Sequence, residues 1–415
     1  MLTSSPAPAH TASPVYRVLG AISFSHLLND MMQSMLVAIY PLLRSDFQLT
    51  FAQVGMITLT FQITASLLQP LIGAYTDKHS KPYSLAFGMG ATFIGLLILS
   101  QATSFPLVLL AAALVGSGSA VFHPESSRVA RLASGGQFGL AQAIFQVGGN
   151  LGAATGPLLA AWLILPSGQG AIAWVSLAAL LAMTVLVAVG RWYSHQHRLR
   201  QASIAPVAPS LPKKLIARSM IVLLALMFSK FFYSASLTSY LIFYLMHHFA
   251  LSAADAQYYL FYYLAAVASG TVFGGLIGDR VGRRTVIWVS ILGVAPFTIA
   301  MPYASLEFTA LLTMIAGFFL ASAFPSMLVY AQELIPGKVG TIAGLFFGLA
   351  FGLGGIGAAI LGHLADHIGI EAVYQLCSYL PLIGVVAFFL PKIQEHGRVL
   401  PEKPSLAAAN PATGN

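Results

Sequence analysis

Several ionisable residues stand inside long apolar stretches of this chain, where charged groups are costly and are usually retained for a function. His26 and Asp30 are four residues apart, so on a helix they share one face. A carboxyl group among apolar atoms can lose its charge, and it can then take up and release a proton near neutral pH. We therefore expect Asp30 to carry a proton and His26 to relay one or hold a substrate oxygen. A hydrogen-bonded structural role is the alternative for each.

A second group of ionisable residues is His123, Glu125 and Arg128. Glu125 and Arg128 are three residues apart and can pair on one helix face. His123 and Glu125 are two apart and point in different directions, which predicts no metal site there. Glu125 is the next candidate for proton carrier, while His123 and Arg128 are candidates for proton coupling or substrate binding. Arg128 has the alternative role of an interfacial charge that sets orientation in the membrane.

Lys230 is the basic residue that the sequence leaves in the middle of an apolar stretch. An anionic substrate that loses its water needs positive charge or hydrogen-bond donors. We expect Lys230 either to bind such a substrate or to be the counter-ion of an acid such as Asp30. The further candidates for substrate binding are polar residues of the neighbouring stretches: Gln146, Asn150, Tyr233 and Tyr240.

The composition is that of an integral membrane protein. The chain has 415 residues, of which 57% are hydrophobic and 8% charged, whereas soluble proteins have roughly a quarter of their residues charged. Apolar runs of 18 residues or more recur, and such a run forms a helix long enough to cross a hydrocarbon layer of about 30 Å. The sequence therefore predicts an all-α protein embedded in a lipid bilayer.

Glycines, prolines and charged residues divide the chain into twelve apolar segments, which we predict to be membrane-spanning helices. The predicted regions are a disordered tail (1–16), a first six-helix bundle (17–193), a basic linker (194–217), a second six-helix bundle (218–391) and a second tail (392–415).

The net charge of +8 follows from membrane orientation and does not indicate nucleic-acid binding. Only Arg44 falls on the far side and only Lys230 within the membrane; the other Lys and Arg residues fall on one side. Because basic residues accumulate on the cytoplasmic side, we expect both termini and the linker in the cytoplasm, as in a bacterial inner-membrane protein.

One short loop pattern occurs once in each half of the chain. Its two copies run from Gly73 through Asp77 to Lys78 and from Gly275 through Asp279 to Arg280. Parallel six-helix halves are the architecture of the major facilitator transporters, and the pattern resembles their loop signature G-x-x-x-D-(R/K)-x-G-R-(R/K).

The second copy of this signature is nearly complete, because it continues to Arg283 and Arg284, whereas the first copy has Ser80 in place of the glycine. The resemblance implies that the aspartates form a gate between the halves on the cytoplasmic side. The basic loop residues would then be their partners.

A second resemblance lies in the fifth predicted helix. Gly152, Gly156 and Pro157 are similar to the G-x-x-x-G-P element of proton-coupled antiporters, although the glycines that follow it there are alanines here. Small residues four apart permit a close helix crossing, and proline bends a helix. Ordinary small-residue packing explains the same residues and is the alternative.

Beyond single motifs, the chain resembles the fosmidomycin exporters of the major facilitator superfamily over essentially all predicted spans. The stretches that carry the resemblance are 25–30, 121–131, 146–150, 228–230 and 330–333. The resemblance implies export of the anionic phosphonate antibiotic fosmidomycin and of other drugs, driven by entering protons. A proton-coupled importer of a small organic anion is the alternative.

We expect no enzyme activity, no cofactor and no metal, and we expect the protein to be a monomer. His363 and His367, with Asp366 beside them, are a formally possible zinc ligand set. Their position at the outer end of the eleventh predicted helix favours an exposed interfacial cluster instead.

Overall fold

The computed structural model describes residues 13–49, 51–201, 211–251, 253–391, 393–394 and 398–399. Most of the two predicted tails and residues 202–210 of the predicted linker lie outside the described residues. The linker's flanks are helical, because the preceding helix continues to Gln201 and the next begins at Lys213.

The first half of the chain supplies spans 1 to 6. Their helices are Tyr16–Ala38 (span 1), Phe51–Gln62 with Leu68–Lys78 (span 2), Ser84–Ser100 (span 3), Phe105–Ala133 (span 4), Phe138–Leu159 with Leu165–Ser167 (span 5) and Ile172–Gln201 (span 6). Two π-helical turns, Ile63–Leu67 and Ala160–Ile164, lie within spans 2 and 5, and two short pieces, the helix Tyr40–Asp46 and the 3-10 turn Gln169–Ala171, lie between spans.

The second half supplies spans 7 to 12. Their helices are Lys213–Phe249 (span 7), Ala253–Val281 (span 8), Arg283–Ile291 with Ala295–Ala300 and the 3-10 turn Met301–Tyr303 (span 9), Leu306–Leu334 (span 10), Val339–Ile368 (span 11) and Ile370–Ser378 with the 3-10 segment Leu380–Phe389 (span 12). A two-residue antiparallel pair, Ile393–Gln394 with Arg398–Val399, follows span 12.

By length and composition, ten helical segments of the described chain can cross a membrane. Span 3 is apolar but shorter, with 17 residues. Span 1 contains a polar group at its centre, including His26, Asn29 and Asp30, which lowers its mean hydropathy. With these two, the helices form the twelve spans of an all-α, multi-pass membrane protein in two six-helix halves.

Small residues set the packing inside the first half, where spans 1 and 5 lie against each other. A side chain added at Gly152 would meet the backbone of Leu27 and Met31, and one added at Gly156 would meet Met31 and Ser34. The close crossing that the Gly152–Gly156 spacing predicts is therefore present. Span 5 changes to π-helical geometry at Ala160–Ile164, shortly after Pro157.

The two halves touch most closely at the end that contains the two repeated loops, which we call the motif face. There span 2 lies on span 11, with Gly73 against Gly340, and span 5 lies on span 8, with Gly139 against Gly275. Farther along span 11 the contact with the first half loosens, because a Cβ added at Gly352 would meet nothing within 4 Å and one added at Gly355 would meet only Gln62 Nε2, at 3.8 Å. The halves are thus closed at the motif face and diverge beyond it.

The asymmetry of the two signature copies has a structural counterpart. In the second copy Gly282 has a φ of 90° and is the single residue between spans 8 and 9. A residue with a side chain rarely adopts this backbone conformation. In the first copy, with Ser80 at the matching place, the helix ends at Lys78 and a longer loop leads to span 3.

Candidate functional site

A cavity of about 550 Å³ lies between the halves, above the closed motif face. Spans 1 and 5 of the first half and spans 7, 8, 10 and 11 of the second line it. Its polar lining is Asp30, Gln146, Asn150, Lys230, Ser234, Thr238, Ser239 and Thr271, and its aromatic lining is Phe231, Tyr263, Phe324, Phe347 and Phe351. Polar groups on an otherwise apolar wall are typical of a small-molecule site.

Lys230 lines this cavity from span 7, in agreement with its predicted position inside the membrane. Its ammonium nitrogen lies 4.5 Å from the centre of the Phe231 ring and 4.9 Å from that of Phe324. Aromatic faces attract a cation but do not neutralise it. No ion pair joins Lys230 to a carboxylate among the described residues, so an anion that enters the cavity would meet no competing carboxylate at its amine nitrogen.

Asp30 faces Lys230's cavity from the opposite half and belongs to a cluster with His26 and His123. We call these three residues the His–Asp–His cluster. Asp30 Oδ2 lies 3.2 Å from His26 Nε2, and Asp30 Oδ1 lies 3.7 Å from His123 Nε2. Both histidines are fully buried, whereas the Asp30 side chain is 12% exposed and lines the cavity. Asp30 is therefore the member that the cavity reaches.

The hydrogen-bond partners of the two imidazoles fix which nitrogen of each ring carries a hydrogen. His26 Nδ1 lies 2.7 Å from the Phe145 carbonyl oxygen, and His123 Nδ1 lies 3.0 Å from that of Ser119. A carbonyl only accepts, so each Nδ1 must donate. In the neutral rings each Nε2 then turns its lone pair toward the Asp30 carboxylate. A hydrogen shared between Nε2 and the carboxylate removes the repulsion between these acceptors.

Amide side chains complete the surroundings of Asp30. Asn29 and Gln33 donate to Asp30 Oδ1 at 2.9 and 3.2 Å. The predicted substrate candidates Gln146 and Asn150 lie in the cavity lining, and Asn150 donates to the Thr271 hydroxyl of the other half at 3.2 Å. These two amides are well placed to contact a ligand that lies between Asp30 and Lys230.

The structure places the other predicted substrate residues elsewhere. Tyr233 is buried inside the second half, with its hydroxyl 3.8 Å from the Met301 sulfur, and the Tyr240 hydroxyl donates to the Ala358 carbonyl at 2.6 Å. Neither tyrosine lines the cavity. The lining of span 7 extends from Lys230 to the side of Phe231 and Thr238, whereas Tyr233 and Tyr240 lie about 60–80° around the helix in the other direction. His123 faces Asp30 and not the cavity, which leaves Tyr263 of span 8 as the tyrosine of the lining.

The two signature aspartates occupy matching positions at the motif face. Asp77 accepts hydrogen bonds from the backbone N–H groups of Gly340 and Thr341, at 2.9 and 2.8 Å. Asp279 accepts from those of Gly139 and Leu140, at 2.9 and 2.8 Å. Both pairs are the second and third residues of a helix, and helix N-termini favour negative charge. Each aspartate thus caps a helix of the opposite half.

The basic partners of these aspartates differ from the prediction, which assigned them to the loops. Asp77 pairs with Arg128 of span 4 at 2.6 Å, and only Asp279 pairs with one of the predicted partners, Arg283, which is the first residue of span 9, at 3.2 Å. Arg284 donates to the Phe388 carbonyl instead. The first copy has no arginine at the loop position, and Arg128 supplies the guanidinium from a neighbouring helix. No sequence motif predicts that Arg128 takes the place of the loop arginine, since Arg128 and Asp77 are distant in the chain.

Arg128 also forms the predicted pair with Glu125, at 2.8 Å. Glu125 is fully buried and accepts a further hydrogen bond from Ser84, at 3.2 Å. The arginine therefore bridges two acids near the motif face, and its other donors reach Thr76. In this conformation Glu125 and Arg128 belong to the contacts near the motif face and lie apart from the cavity lining.

Sequence reasoning missed the meeting of His123 with His26 and Asp30. The two histidines are on different spans, and only the packing of span 4 against span 1 brings them together. The buried polar residues of span 4 were the available signal, because a helix with His123 and Glu125 both buried needs a partner for each.

The comparisons with known sequences agree on one family. The sequence model of the Major Facilitator Superfamily matches residues 22–260 and 222–412. The Fosmidomycin resistance protein of Escherichia coli (strain K12) is 60% identical over 377 residues, which are 91% of this chain and 93% of that protein. The uncharacterized MFS-type transporter YfnC of Bacillus subtilis (strain 168) is 40% identical over 389 residues, 92% of this chain and 94% of that protein.

Solved structures of low sequence identity share the fold. The crystal structure of the MFS transporter FucP in the outward conformation superposes with a TM-score of 0.68 at 16% identity, covering 90% of this chain and 98% of that one. The structure of the human organic anion transporter MFSD10 (TETRAN) gives a TM-score of 0.70 at 18% identity, covering 91% of this chain and 100% of that one.

Proposed function

This chain belongs to the major facilitator superfamily and is a transporter, and we propose that it exports fosmidomycin and related small anions in exchange for protons. The observation that carries the proposal is Lys230, a buried cation in the cavity with no carboxylate partner among the described residues. A phosphonate that enters the cavity would supply the missing negative charge. The name of the relative from Escherichia coli favours fosmidomycin as that phosphonate.

The rest of the cavity suits a ligand with two polar ends. Lys230 and the hydroxyl groups of Ser234 and Thr238 lie on one wall, and Gln146 and Asn150 lie on the other. Fosmidomycin has a phosphonate at one end of a short carbon chain and a hydroxamate at the other. We propose that the phosphonate binds Lys230 and that the hydroxamate meets the two amides.

We assign the proton to Asp30. Of the two acids in the membrane interior, Asp30 lines the cavity, whereas Glu125 is enclosed by Arg128 and Ser84 in the gate. Protons and substrate would therefore meet in the same space. A proton that arrives at the His–Asp–His cluster reduces the negative charge opposite Lys230 and so changes the electrostatic surroundings of the bound anion. Proton movement and drug movement are thereby physically linked.

The contacts between the halves support a mechanism of alternating access. The structure holds the motif face closed through Asp77 and Asp279, and we propose that these contacts break when the cavity opens to that side. We propose that the motif face is the cytoplasmic face of the bacterial inner membrane, with both termini there, because basic residues concentrate in its loops. One chain contains the whole cavity, so we expect a monomer to suffice.

The test is proton movement in inside-out membrane vesicles with an acidified interior, followed with a pH-sensitive dye. Adding fosmidomycin outside should raise the interior pH, because antiport brings the drug in and protons out. No drug-dependent change of pH would refute antiport.

The same vesicles test the second candidate, a symporter that imports a small organic anion. When the anion is added outside, a symporter would acidify the vesicle interior. It would raise the interior pH only when the anion had been loaded inside the vesicles. Vesicles containing Lys230→Gln serve as the matched control, since they should show no drug-dependent signal.

A further inference from the structure

We propose that the His–Asp–His cluster binds one divalent transition-metal ion, with Zn²⁺ as the best fit, and that the bound ion blocks export. The binding is argued from the geometry of the cluster alone. The block rests in addition on the proposed function, because the ion would sit at Asp30, in the lining of the cavity that the drug enters.

The three potential ligand atoms are already close together. One ligand atom each from His26, His123 and Asp30 lies within 4.8 Å of the other two, and the shortest contact, between His26 Nε2 and Asp30 Oδ2, is 3.2 Å. A tetrahedral zinc ion with bonds of about 2.0–2.1 Å holds its ligand atoms roughly 3.3 Å apart. A small rotation of His123 toward Asp30 would therefore suffice to complete three of the four positions.

The imidazoles are oriented as metal ligands require. Each Nδ1 donates to a backbone carbonyl, of Phe145 for His26 and of Ser119 for His123. Such bonds fix the tautomer that leaves the Nε2 lone pair free for a metal. Both Nε2 atoms are buried. Neither has a hydrogen-bond partner outside the His–Asp–His cluster among the described residues.

The carboxylate is held in the same way. Asn29 and Gln33 both donate to Asp30 Oδ1, at 2.9 and 3.2 Å, which orients the group and leaves Oδ2 toward His26. Two neutral imidazoles and one carboxylate carry a single negative charge. A divalent ion leaves the cluster with one positive charge, and the cavity beside Asp30 offers space for a water as the fourth ligand.

The donor set selects the class of ion. Two imidazoles with one carboxylate suit Zn²⁺, Co²⁺, Ni²⁺ and Cu²⁺, whereas Mg²⁺ and Ca²⁺ prefer sites made of oxygen atoms. The ion would use the lone pairs and the carboxylate that otherwise share a hydrogen.

The first experiment measures binding without transport. Purified, tag-free protein in detergent is titrated with Co²⁺, and the intense visible absorption of a tetrahedral Co²⁺ site is followed, with Zn²⁺ then added as competitor. We expect one ion per chain, displaced by Zn²⁺, and at least a tenfold loss of affinity in His26→Gln and in His123→Gln. Unchanged Co²⁺ spectra and affinity in both variants would overturn the proposal.

The matched control is His363→Gln, which removes an exposed histidine at the far end of span 11. It should bind Co²⁺ as the wild type does, and a loss of binding in this variant alone would place the ion elsewhere and overturn the proposal. Thermal unfolding of every variant is measured in parallel, and one that fails to fold is replaced by His→Asn at the same position.

The second experiment tests the block in the inside-out vesicles. Zn²⁺ at the concentration that saturates the purified protein should suppress drug-dependent proton movement in wild-type and His363→Gln vesicles alike. Wild-type exchange that persists under saturating Zn²⁺ would overturn the block. Vesicles with no exchange even before Zn²⁺ is added would instead refute antiport, and the Co²⁺ titration would still decide the metal site.

Discussion

Asp77 and Gly340, from opposite halves of the chain, are joined by a hydrogen bond of 2.9 Å in which the Gly340 N–H donates to Asp77 Oδ1. Asp279 repeats the relationship with Gly139 at the same distance. The carboxylate of one half thus compensates the exposed N–H groups at a helix start of the other. Both contacts exist only while the motif face is closed, so the closed state depends on them.

Removing the charge of Asp77 should open the motif face more often. Asp77→Asn weakens charge-assisted hydrogen bonds worth about 1.5–3 kcal/mol, which corresponds to at least a roughly tenfold shift toward the open state. The measurement is labelling of Ser127→Cys by a membrane-impermeant maleimide in a Cys377→Ser background. Ser127 is buried between the halves, beside Gln142 and Gln332, so its cysteine reacts only when the motif face opens.

The corresponding change in the second half is the internal comparison. Asp279→Asn should increase labelling by a similar factor, because Asp279 caps span 5 as Asp77 caps span 11. Labelling rates that stay at the wild-type value in both variants would show that these hydrogen bonds do not hold the halves together.

A methyl group at the helix crossing should act on the same equilibrium by steric means. A Cβ added at Gly73 would overlap the backbone of Gly340 and Thr341, which cannot move without separating spans 2 and 11. Gly73→Ala should therefore raise the labelling rate of Ser127→Cys, as Asp77→Asn does. Gly352→Ala is the matched control, since a Cβ at Gly352 meets nothing within 4 Å, and it should label at the wild-type rate. Equal rates for the two alanine variants would contradict the close approach.

Much of this architecture could be predicted from the sequence because it follows from periodic or local signals. Apolar run length gives the helices, and the repeated Gly-x-x-x-Asp pattern gives the two halves and their contact face. Gly152 and Gly156 predict the crossing of spans 1 and 5. Each of these signals resides within one segment, where spacing translates directly into a helix face.

The site was only partly predictable because its contacts join distant spans. Lys230 and Asp30 could be predicted from their charge, since an ionisable group inside the membrane is costly and usually has a function. The pairing of His123 with Asp30, and of Arg128 with Asp77, depends on how span 4 rotates against its neighbours, and no spacing along the chain encodes that rotation. Tyr233 shares an approximate helix face with Lys230, yet one side of that face belongs to the core of the second half.

The charge of Lys230 should govern the affinity for the anionic drug. Lys230→Gln keeps a hydrogen-bond donor but removes the charge, and loss of a charge-assisted interaction of about 1.5–3 kcal/mol predicts a roughly tenfold to hundredfold weaker Kd, with export abolished. Lys230→Arg should retain part of the affinity. Titration calorimetry of the purified variants with fosmidomycin checks this. Wild-type affinity with glutamine at this position would refute the assignment.

Tyrosine substitutions separate the cavity lining from the core. Tyr263→Phe removes a hydroxyl from a residue of the cavity lining and should weaken drug binding, whereas Tyr240 is not part of the lining and Tyr240→Phe removes its hydrogen bond to the Ala358 carbonyl. The second change should lower thermal stability by about 1 kcal/mol without changing the Kd for fosmidomycin. Calorimetric Kd and unfolding temperature are measured on both proteins. A Kd that moves only in Tyr240→Phe would return that residue to the binding site.

Asp30 and Glu125 should fail in different ways, because one lies in the cavity lining and the other in the gate. Asp30→Asn keeps the shape of the side chain but cannot carry a proton, so drug-dependent proton movement should stop. Exchange of labelled for unlabelled drug across the membrane needs no net proton transfer and should persist.

Glu125→Gln leaves Asp30 intact but removes one of the two acids that hold Arg128, at 2.8 Å. It should slow both activities together and raise Ser127→Cys labelling, since Arg128 then positions Asp77 less firmly. The opposite pattern, with exchange retained and proton movement lost only in Glu125→Gln, would make Glu125 the proton carrier and Asp30 a structural acid.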